Sequence, residues 1–547
     1  HFEIARYYAQ FISSKVDRNY LPPHIPPVEI PQRMRVGYIA GDFYKHALTH
    51  LMLELFALHD RDRFEIFAYS LGPNDGSFER QKIEADSDKF TDLRGLTTAA
   101  AAEKIQGDRL HILVDMGAYT QHSNPGILAM RPAPIQINYL TYASTMGADF
   151  IDYIVTDNTV TPPHLAEFFT EKFICLPDSY QINNYRRVCP AENPQIKQQN
   201  PKATHGLPEN AFVFGCLNYS RKIEPAIFDV WMRILQQVPH SVLWLLECNP
   251  EATHNLKNEA KLRGIDASRL IFAPRLLPEE HLARHIWIDL FLDTLYCNAH
   301  TTASDALWMG IPFITCPRET FAARGGASLL NAVNLPQLIV NSLAEYEQLA
   351  VHLATHPQEL QQLKDFLNEN RRQFPLFDTP RTVKHLESAY LQLWERYRSH
   401  LPPAAIQIEP IEGILDKAAD KTSTNSKSNK GRKSSNGKIK TERNAVNKKQ
   451  NGQINASADS DRIQLIDSNL VGAGSPKSPT QIEDLLNLPR LDMTLDRQDR
   501  NSAEISVIAD RDFPTWLKQQ QISLACTTYQ TNRLILIGAG AETDRIS

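Results

Sequence analysis

The chain has 547 residues, 42% of them hydrophobic and 22% charged, with a formal net charge of −5. That length exceeds one ordinary core and predicts two domains with additional segments, and the mild acidity excludes a chain built throughout for nucleic acid. No run of about 18 apolar residues offers a membrane helix, no signal peptide opens the chain, and the seven scattered cysteines form neither a disulfide framework nor a zinc pattern. The expectation is a cytoplasmic protein with reduced, buried thiols and with neither a membrane nor nucleic acid as partner.

Residues 1–20 carry apolar side chains at helical spacing (Ile4, Tyr7, Tyr8, Phe11, Ile12), and the prolines of LPPHIPP then stop the helix. Residues 1–32 therefore read as a helical segment and a tether. From Met34 the runs MRVGYIAG, FEIFAYSL, HILVDM, DYIVTD and KFICLP are strand-like, and amphipathic stretches such as 49–59 and 97–105 separate several of them. Alternation of this kind predicts a doubly wound α/β domain, here over 33–205.

A second set follows over 206–400. Its predicted strands are FVFGCLN, SVLWLLE, LIFAP, DLFLD and PFITC, its helices include 225–238 and 302–309, and helical stretches at 343–372 and 379–398 close the unit. Two facing Rossmann-like domains result, with ligands expected beyond the carboxyl ends of the strands. Near residue 415 the composition turns to lysine among Ser, Asn, Thr and Gly, which predicts a disordered basic linker over 401–480. Residues 481–547 regain a folded pattern, with FPTWLKQQ as a helix and ISLACTTYQ and RLILIG as strands, and read as a partial C-terminal β-rich domain.

Polar residues at the predicted strand ends are the functional candidates. In CNAHTTASDALWMGIPFIT, His300, Thr301 and Thr302 stand at a helix N-terminus, where unpaired N–H groups and the helix dipole attract phosphate. An N-cap alone accounts for one of the threonines. NYSRK puts Arg221 and Lys222 at the mouth of the second domain's first strand, as countercharge to a diphosphate or as a solvated loop. His281 and Arg284, three apart, share one helical face. Asp305, one turn into its helix, is placed to hold ribose hydroxyls or to complement the dipole. In the first domain His46 follows the first strand as a candidate base or substrate contact, and Asp108 and His111 bracket the start of HILVDM. No GxSxG, P-loop, HExxH or GxGxxG motif is present.

Taken in order, RVGYIAGDFYKHALTHLM, HILVDMGAYT, RPAPIQINYLTYASTMG, DYIVTD, SVLWLL, CNAHTTASDALWMGIPFIT and ETFAARGGASLL resemble the catalytic region of O-GlcNAc transferases and their SPINDLY-like bacterial relatives. These are inverting glycosyltransferases of the GT-B fold, and the likeness covers residues 35–397. It implies that Lys222, with His300, Thr301 and Thr302, holds the donor's diphosphate. His281 would stack on the base beside Arg284, and Asp305 would bind the ribose. His46 matches a position discussed as base or acceptor-site residue, and Asp108 and His111 match a second candidate region for catalysis. The implied reaction moves a sugar, N-acetylglucosamine from UDP-GlcNAc by preference, to Ser/Thr hydroxyls of a protein or peptide acceptor, with no metal and no further cofactor. Three positions depart from the family pattern: Tyr219 where an amide is usual, Pro278 where a lysine stands, and Ala118 in place of glycine. Tyr219 beside Lys222 keeps a second reading open, a non-catalytic nucleotide-sugar scaffold, and a nucleotide-sugar epimerase is a third. The family's tetratricopeptide repeats make residues 1–20 a candidate end of such an array, and WLKQQQISLACTTYQTNRLILIG resembles the start of a propeller-like bacterial domain.

Overall fold

The computed structural model describes residues 2–22, 33–188 and 201–411, together with the backbone of four short strands beyond residue 490. The strand-like runs form strands because they are apolar on both faces and buried on both, as parallel sheets covered by helices require. The first sheet contains β1 (Met34–Ala40), β2 (Phe64–Ser70), β3 (Lys89–Asp92), β4 (Ile112–Asp115), β5 (Ile135–Asn138), β6 (Tyr153–Asp157) and β7 (Lys172–Leu176). The second contains β8 (Phe212–Cys216), β9 (Ser241–Leu246), β10 (Leu270–Ala273), β11 (Leu290–Leu292) and β12 (Phe313–Ile314). β13 (Ile406–Gln407) returns to the first sheet, whose order is β13-β7-β6-β5-β4-β1-β2-β3; the second sheet runs β10-β9-β8-β11-β12. Pairing is parallel throughout both sheets.

β3, β5 and β13 are absent from the sequence expectation because KFTD, IQIN and IQ are short and half polar. The amphipathic stretch at 49–59 divides into helices Ala47–Met52 and Leu55–Leu58, and the stretch at 343–372 into Leu343–Thr355 and Pro357–Asn370. Pro357 lacks the N–H needed to continue a helix and opens a new one instead.

One expectation is corrected. The helix Thr379–Arg398, assigned with the second domain, packs on the first sheet: Val383, Leu386, Ala389, Tyr390, Leu393 and Trp394 share a core with Val36, Ile66, Val114 and Ile137. Polar contacts reinforce the docking, since Tyr38 and Tyr390 hydroxyls meet at 3.1 Å and His59 Nδ1–H donates to Glu387 Oε1 at 3.0 Å. The expected linker likewise begins later than residue 401, because β13 belongs to the sheet. The opposite face of that sheet is covered by the helices Thr98–Gly107 and Pro125–Ala129 and by Phe2–Ser13, which contributes Ala9 and Ile12. At the site of one departure, Ala118 adopts φ 47°, the left-handed region that costs an alanine roughly 1–2 kcal/mol, and Asp115 Oδ1 holds it there by accepting from the N–H groups of Gly117 (3.0 Å) and Ala118 (3.1 Å).

The segment beyond residue 426 is a separate unit. In it Leu491–Thr494 pairs antiparallel with Ser506–Ala509, and Leu524–Thr528 with Arg533–Ile537, the latter pair matching the two expected strands. The expected FPTWLKQQ helix, the prolines at 23–27 and the linker beyond residue 411 lie outside the described residues. Among the described residues no helix is long and apolar enough to cross a membrane.

Candidate functional site

In the second sheet, chain order reverses between β8 and β11, and the connections leave to opposite sides there, so a crevice opens at their carboxyl ends. β8 runs into Asn218–Lys222, and β11 runs into the turn that carries His300 and the helix Thr301–Trp308. These ends line a cleft of about 950 Å³, closed on the other side by Lys45, His46, His50 and Leu51 of the first domain.

The turn is organised by Asp293, fully buried, whose carboxylate accepts from Thr294 N–H (2.8 Å), Ala299 N–H (2.6 Å) and Thr315 Oγ1 (2.7 Å). Burial pushes Asp293 up to about 7, against those donors and the charge of Lys222. Inside the turn, Asn298 Nδ2 donates to Thr294 O at 2.6 Å, and the Asn298 carbonyl receives Lys222 Nζ at 2.8 Å. Asn218 links the other side, with Nδ2 donating to Thr294 Oγ1 (2.9 Å) and Oδ1 accepting from Thr302 Oγ1 (2.5 Å). Lys222 and the helix N-terminus are thereby fixed to one frame before any ligand arrives. The first N–H groups of that helix have no intrahelical acceptor and lie where an anion can use them.

The ring of His300 departs from its expected role. Its Nε2–H donates to Ala322 O at 3.1 Å, and its Nδ1 accepts from the Tyr180 hydroxyl, so neither nitrogen is left for a phosphate. Burial, and then the charge of Lys222, lower it to about 4, which keeps the ring neutral. His300 thus sets the position of the helix end, and Thr301, Thr302 and the backbone face the cleft. A Cβ on Gly325 would lie 2.6 Å from Cε1 of that ring. Because both ring nitrogens are tied, Gly325→Ala is expected to shift the helix end and weaken UDP binding about tenfold, read by calorimetry; unchanged affinity would show that the ring does not set the site.

At the inner end of the cleft Asp305 accepts from the Tyr185 hydroxyl and lies 3.7 Å from His281 Nε2. Burial raises its pKa, but hydrogen bonding and charge from His281, with His285 and Tyr185, outweigh burial and hold it below the usual carboxylate range. Arg284 donates to Pro274 O and to His281 Nδ1, each at 2.5 Å, and burial lowers the guanidinium to about 10. His281, His285 and Asp305 bring ligand-type atoms within 4.8 Å of one another. With Arg284 bonded to Nδ1, however, neutral His281 carries its proton on Nε2, facing Asp305. The ring then has no lone pair to offer a cation there, and the neighbouring guanidinium opposes one.

The three departures have local accounts. Pro278 stands in the first turn of Pro278–Arg284, where its missing N–H costs nothing. The Tyr219 ring lies between the guanidinium groups of Arg221 (4.8 Å) and Arg275 (5.0 Å), which hold it at the rim of the cleft. Ala118, described above, sits in the first domain.

His46 caps the Ala47–Met52 helix, its Nδ1 accepting from Leu48 N–H at 3.3 Å, and Asp42 Oδ2 lies 3.8 Å from the same nitrogen. Burial raises the Asp42 carboxyl, partly offset by His46 and His122.

Asp108 and His111 are corrected. They precede β4 and so sit at the amino edge of the sheet, outside the residues lining the cleft. Asp108 accepts from Tyr69 at 2.8 Å and pairs with Lys89; His111 is buried, accepts from Arg35 N–H at 3.0 Å and packs edge-on against Trp394 at 4.5 Å. Sequence reasoning missed Asp293 and the segment Ser179–Tyr185, from which Tyr180 reaches His300, Gln181 Nε2 donates to Ser304 Oγ at 2.6 Å, and Tyr185 reaches Asp305. The dense amide and aromatic run SYQINNY after KFICLP was its visible signal.

The sequence and architecture resemble those of known proteins. A protein of Arabidopsis thaliana named probable UDP-N-acetylglucosamine-peptide N-acetylglucosaminyltransferase SEC is 38% identical over 417 residues, 74% of this chain and 42% of its own length. A UDP-N-acetylglucosamine-peptide N-acetylglucosaminyltransferase of Caenorhabditis elegans is 31% identical over 69% of this chain and 42% of its own length. The chain thus spans less than half of each of these relatives. A solved mutant of the Thermobaculum terrenum O-GlcNAc transferase superposes with a TM-score of 0.64 at 28% identity, covering 73% of this chain and 74% of that one. The family description, glycosyl transferase family 41, matches residues 3–199 and 189–386. Those two spans run through both sheets and hold every cleft residue described above, and the chain belongs to glycosyl transferase family 41.

Proposed function

We propose that the chain is an inverting glycosyltransferase that moves N-acetylglucosamine from UDP-GlcNAc to Ser/Thr hydroxyls of protein acceptors. The observation that carries this reading is Lys222 Nζ, fixed 2.8 Å from Asn298 O beside the N-terminus of Thr301–Trp308. A cation and a row of aligned N–H groups converge where a departing diphosphate would gather charge. In the reaction the acceptor oxygen bonds to the anomeric carbon from one face while the bond to the β-phosphate oxygen breaks on the other, and the hydroxyl's proton leaves to solvent or to a phosphate oxygen of the departing UDP. Lys222, Thr301 and Thr302 stabilise the leaving UDP electrostatically, and that stabilisation grows as charge develops. His281, Arg284 and Asp305 hold the nucleoside. This reading assigns the countercharge to protein groups and no metal. It places the enzyme in the cytoplasm, with helical repeats ahead of residue 1 collecting acceptors and the unit beyond residue 426 as part of a further domain.

His46 enters from the acceptor side. With Nδ1 accepting from Leu48, the neutral ring carries its proton on Nε2 and acts as a donor to the incoming hydroxyl or sugar. His46→Ala should lower turnover about a hundredfold with donor affinity held within about twofold. Equal losses in both would move His46 into the donor site.

Calorimetric titration with UDP-GlcNAc, UDP-glucose, UDP and GDP-fucose tests the donor, and transfer of labelled sugar to Ser/Thr peptides tests the reaction. Selective binding of UDP-GlcNAc with transfer supports the reading. Conversion of the donor without any acceptor would make the chain an epimerase, and binding without turnover would make it a scaffold.

A further inference from the structure

The segment that leaves β7 carries Tyr180, 1% exposed, across to the second domain. Its backbone is set from the first sheet. Asp157 Oδ2, at the carboxyl end of β6, accepts from Tyr180 N–H at 2.8 Å and from Ser328 Oγ of the helix Gly325–Ala332 at 2.6 Å. The Tyr180 ring packs edge-on against Phe321, centroids 4.9 Å apart, next to Ala322, whose carbonyl receives His300 Nε2–H. A carbonyl oxygen only accepts, so Nε2 carries the proton of the neutral His300 ring and Nδ1 holds a lone pair. The Tyr180 hydroxyl is the donor that meets this lone pair; the other acceptor near the hydroxyl, Gln181 Oε1, is farther away at 3.4 Å. His300 in turn opens the helix Thr301–Trp308, its carbonyl accepting from Ala303 N–H at 3.2 Å and Ser304 N–H at 3.1 Å. The N–H groups of Thr301 and Thr302 follow it directly in the chain.

We propose that Tyr180 is a positioning residue for the donor diphosphate: from the first domain, and through the His300 ring, it fixes the helix N-terminus on which the phosphates rest. Tyr180 stands outside the residues that line the cleft, so it acts on His300 and not on a ligand. The path Asp157–Tyr180–His300 starts in the sheet whose first strand leads to His46 and ends at the helix that receives the leaving group. One hydrogen-bonded path thus sets the donor-side groups against the acceptor-side domain. The proposal rests on the UDP-sugar reading and adds how the first domain takes part in holding the leaving group.

The discriminating quantity is the ratio of affinities for UDP and uridine, measured on the full chain by calorimetry for UDP and by competition against UDP for uridine. Uridine has no phosphate and reports on the nucleoside pocket alone. Tyr180→Phe keeps the ring against Phe321 and removes only the donor to Nδ1. It is expected to weaken UDP about tenfold, the contribution of one hydrogen bond, and to leave uridine within about twofold of wild type. With the path already cut, in a His300→Ala background, Tyr180→Phe should change UDP affinity by less than about twofold. A merely structural role would weaken both ligands by one factor and would persist in that background. Either of those results, or a folded Phe variant with unchanged UDP affinity, overturns the proposal. If the Phe protein does not fold, nitrogen-15 NMR of the wild-type histidines decides. The His300 signals, identified as those lost in His300→Ala, should show an uncharged ring protonated on Nε2 from pH 6 to pH 8; a charged ring, or one protonated on Nδ1, overturns the proposal. A wild type that binds UDP no more tightly than uridine overturns the UDP-sugar reading itself, and the positioning role with it.

Discussion

Lys222→Ala is expected to lower turnover by two to three powers of ten while leaving the fold intact. A lysine and a phosphate oxygen about 4 Å apart at an effective dielectric of about 20 attract by about 4 kcal/mol, roughly three powers of ten in rate if the attraction is gained as the bond breaks. Loss of one fixed donor to a developing oxyanion has a similar size. The structural cost is small because Lys222 is half-buried and makes one hydrogen bond, to the Asn298 carbonyl, which Asp293 and Asn218 hold in place without it. Lys222→Arg should restore charge but little rate, since a planar guanidinium does not fit the ammonium's position over that carbonyl. Single-turnover transfer and calorimetric UDP binding on the same preparations would check this. Turnover within twofold of wild type would remove Lys222 from the chemistry.

The second large effect concerns Asp293. Its folded pKa, about 7, lies above the ordinary 3.8 because burial penalises the charged form. A raised carboxyl pKa contributes stability that is fully present below the unfolded value and is lost as pH rises through the folded one. The difference between the two values corresponds to at most about 4 kcal/mol. Asp293→Asn removes the titration and retains an oxygen for the N–H groups of Thr294 and Ala299. Denaturant unfolding of both proteins from pH 5 to pH 8 should therefore show the wild type losing stability relative to the Asn variant, with the change complete just above pH 7. A pH-independent difference would mean that Asp293 titrates alike in the folded and unfolded chains. Asp293→Ala, by contrast, leaves two buried N–H groups and the Thr315 hydroxyl without their acceptor, which costs about 3 kcal/mol or more, and should abolish UDP binding through collapse of the turn.

The parts of the site that were legible in the sequence are local. Asn218–Lys222, His281–Arg284 and His300–Asp305 each follow an apolar run within a few residues, and parallel sheets place their ligands at such ends. The same rule argues against Asp108 and His111, which stand before their strand and not after it; their place beside HILVDM singled them out, the family likeness reinforced it, and neither took account of the strand direction. Tyr180 and Tyr185 were not legible because their partners lie 120 residues away, and nothing in local periodicity encodes a contact of that span. Asp293 was visible only as the last letter of DLFLD, where an acid at a strand end is unremarkable until three donors are found around it. The short strands β3, β5 and β13 were lost for the opposite reason: pairing with a long neighbour makes them strands, and their own composition does not.

The return of the Thr379–Arg398 helix to the first sheet imposes an order on synthesis. The Tyr38–Tyr390 and His59–Glu387 contacts span 352 and 328 residues. At about 5–20 residues per second, a ribosome needs tens of seconds to make that span, and for that time β1, β2 and β4 have emerged with one apolar face bare. The second sheet, encoded without interruption, can consolidate first. The nascent chain therefore presents an unfinished amino-terminal half tethered to a finished carboxyl-terminal one, and the half that supplies His46 closes last.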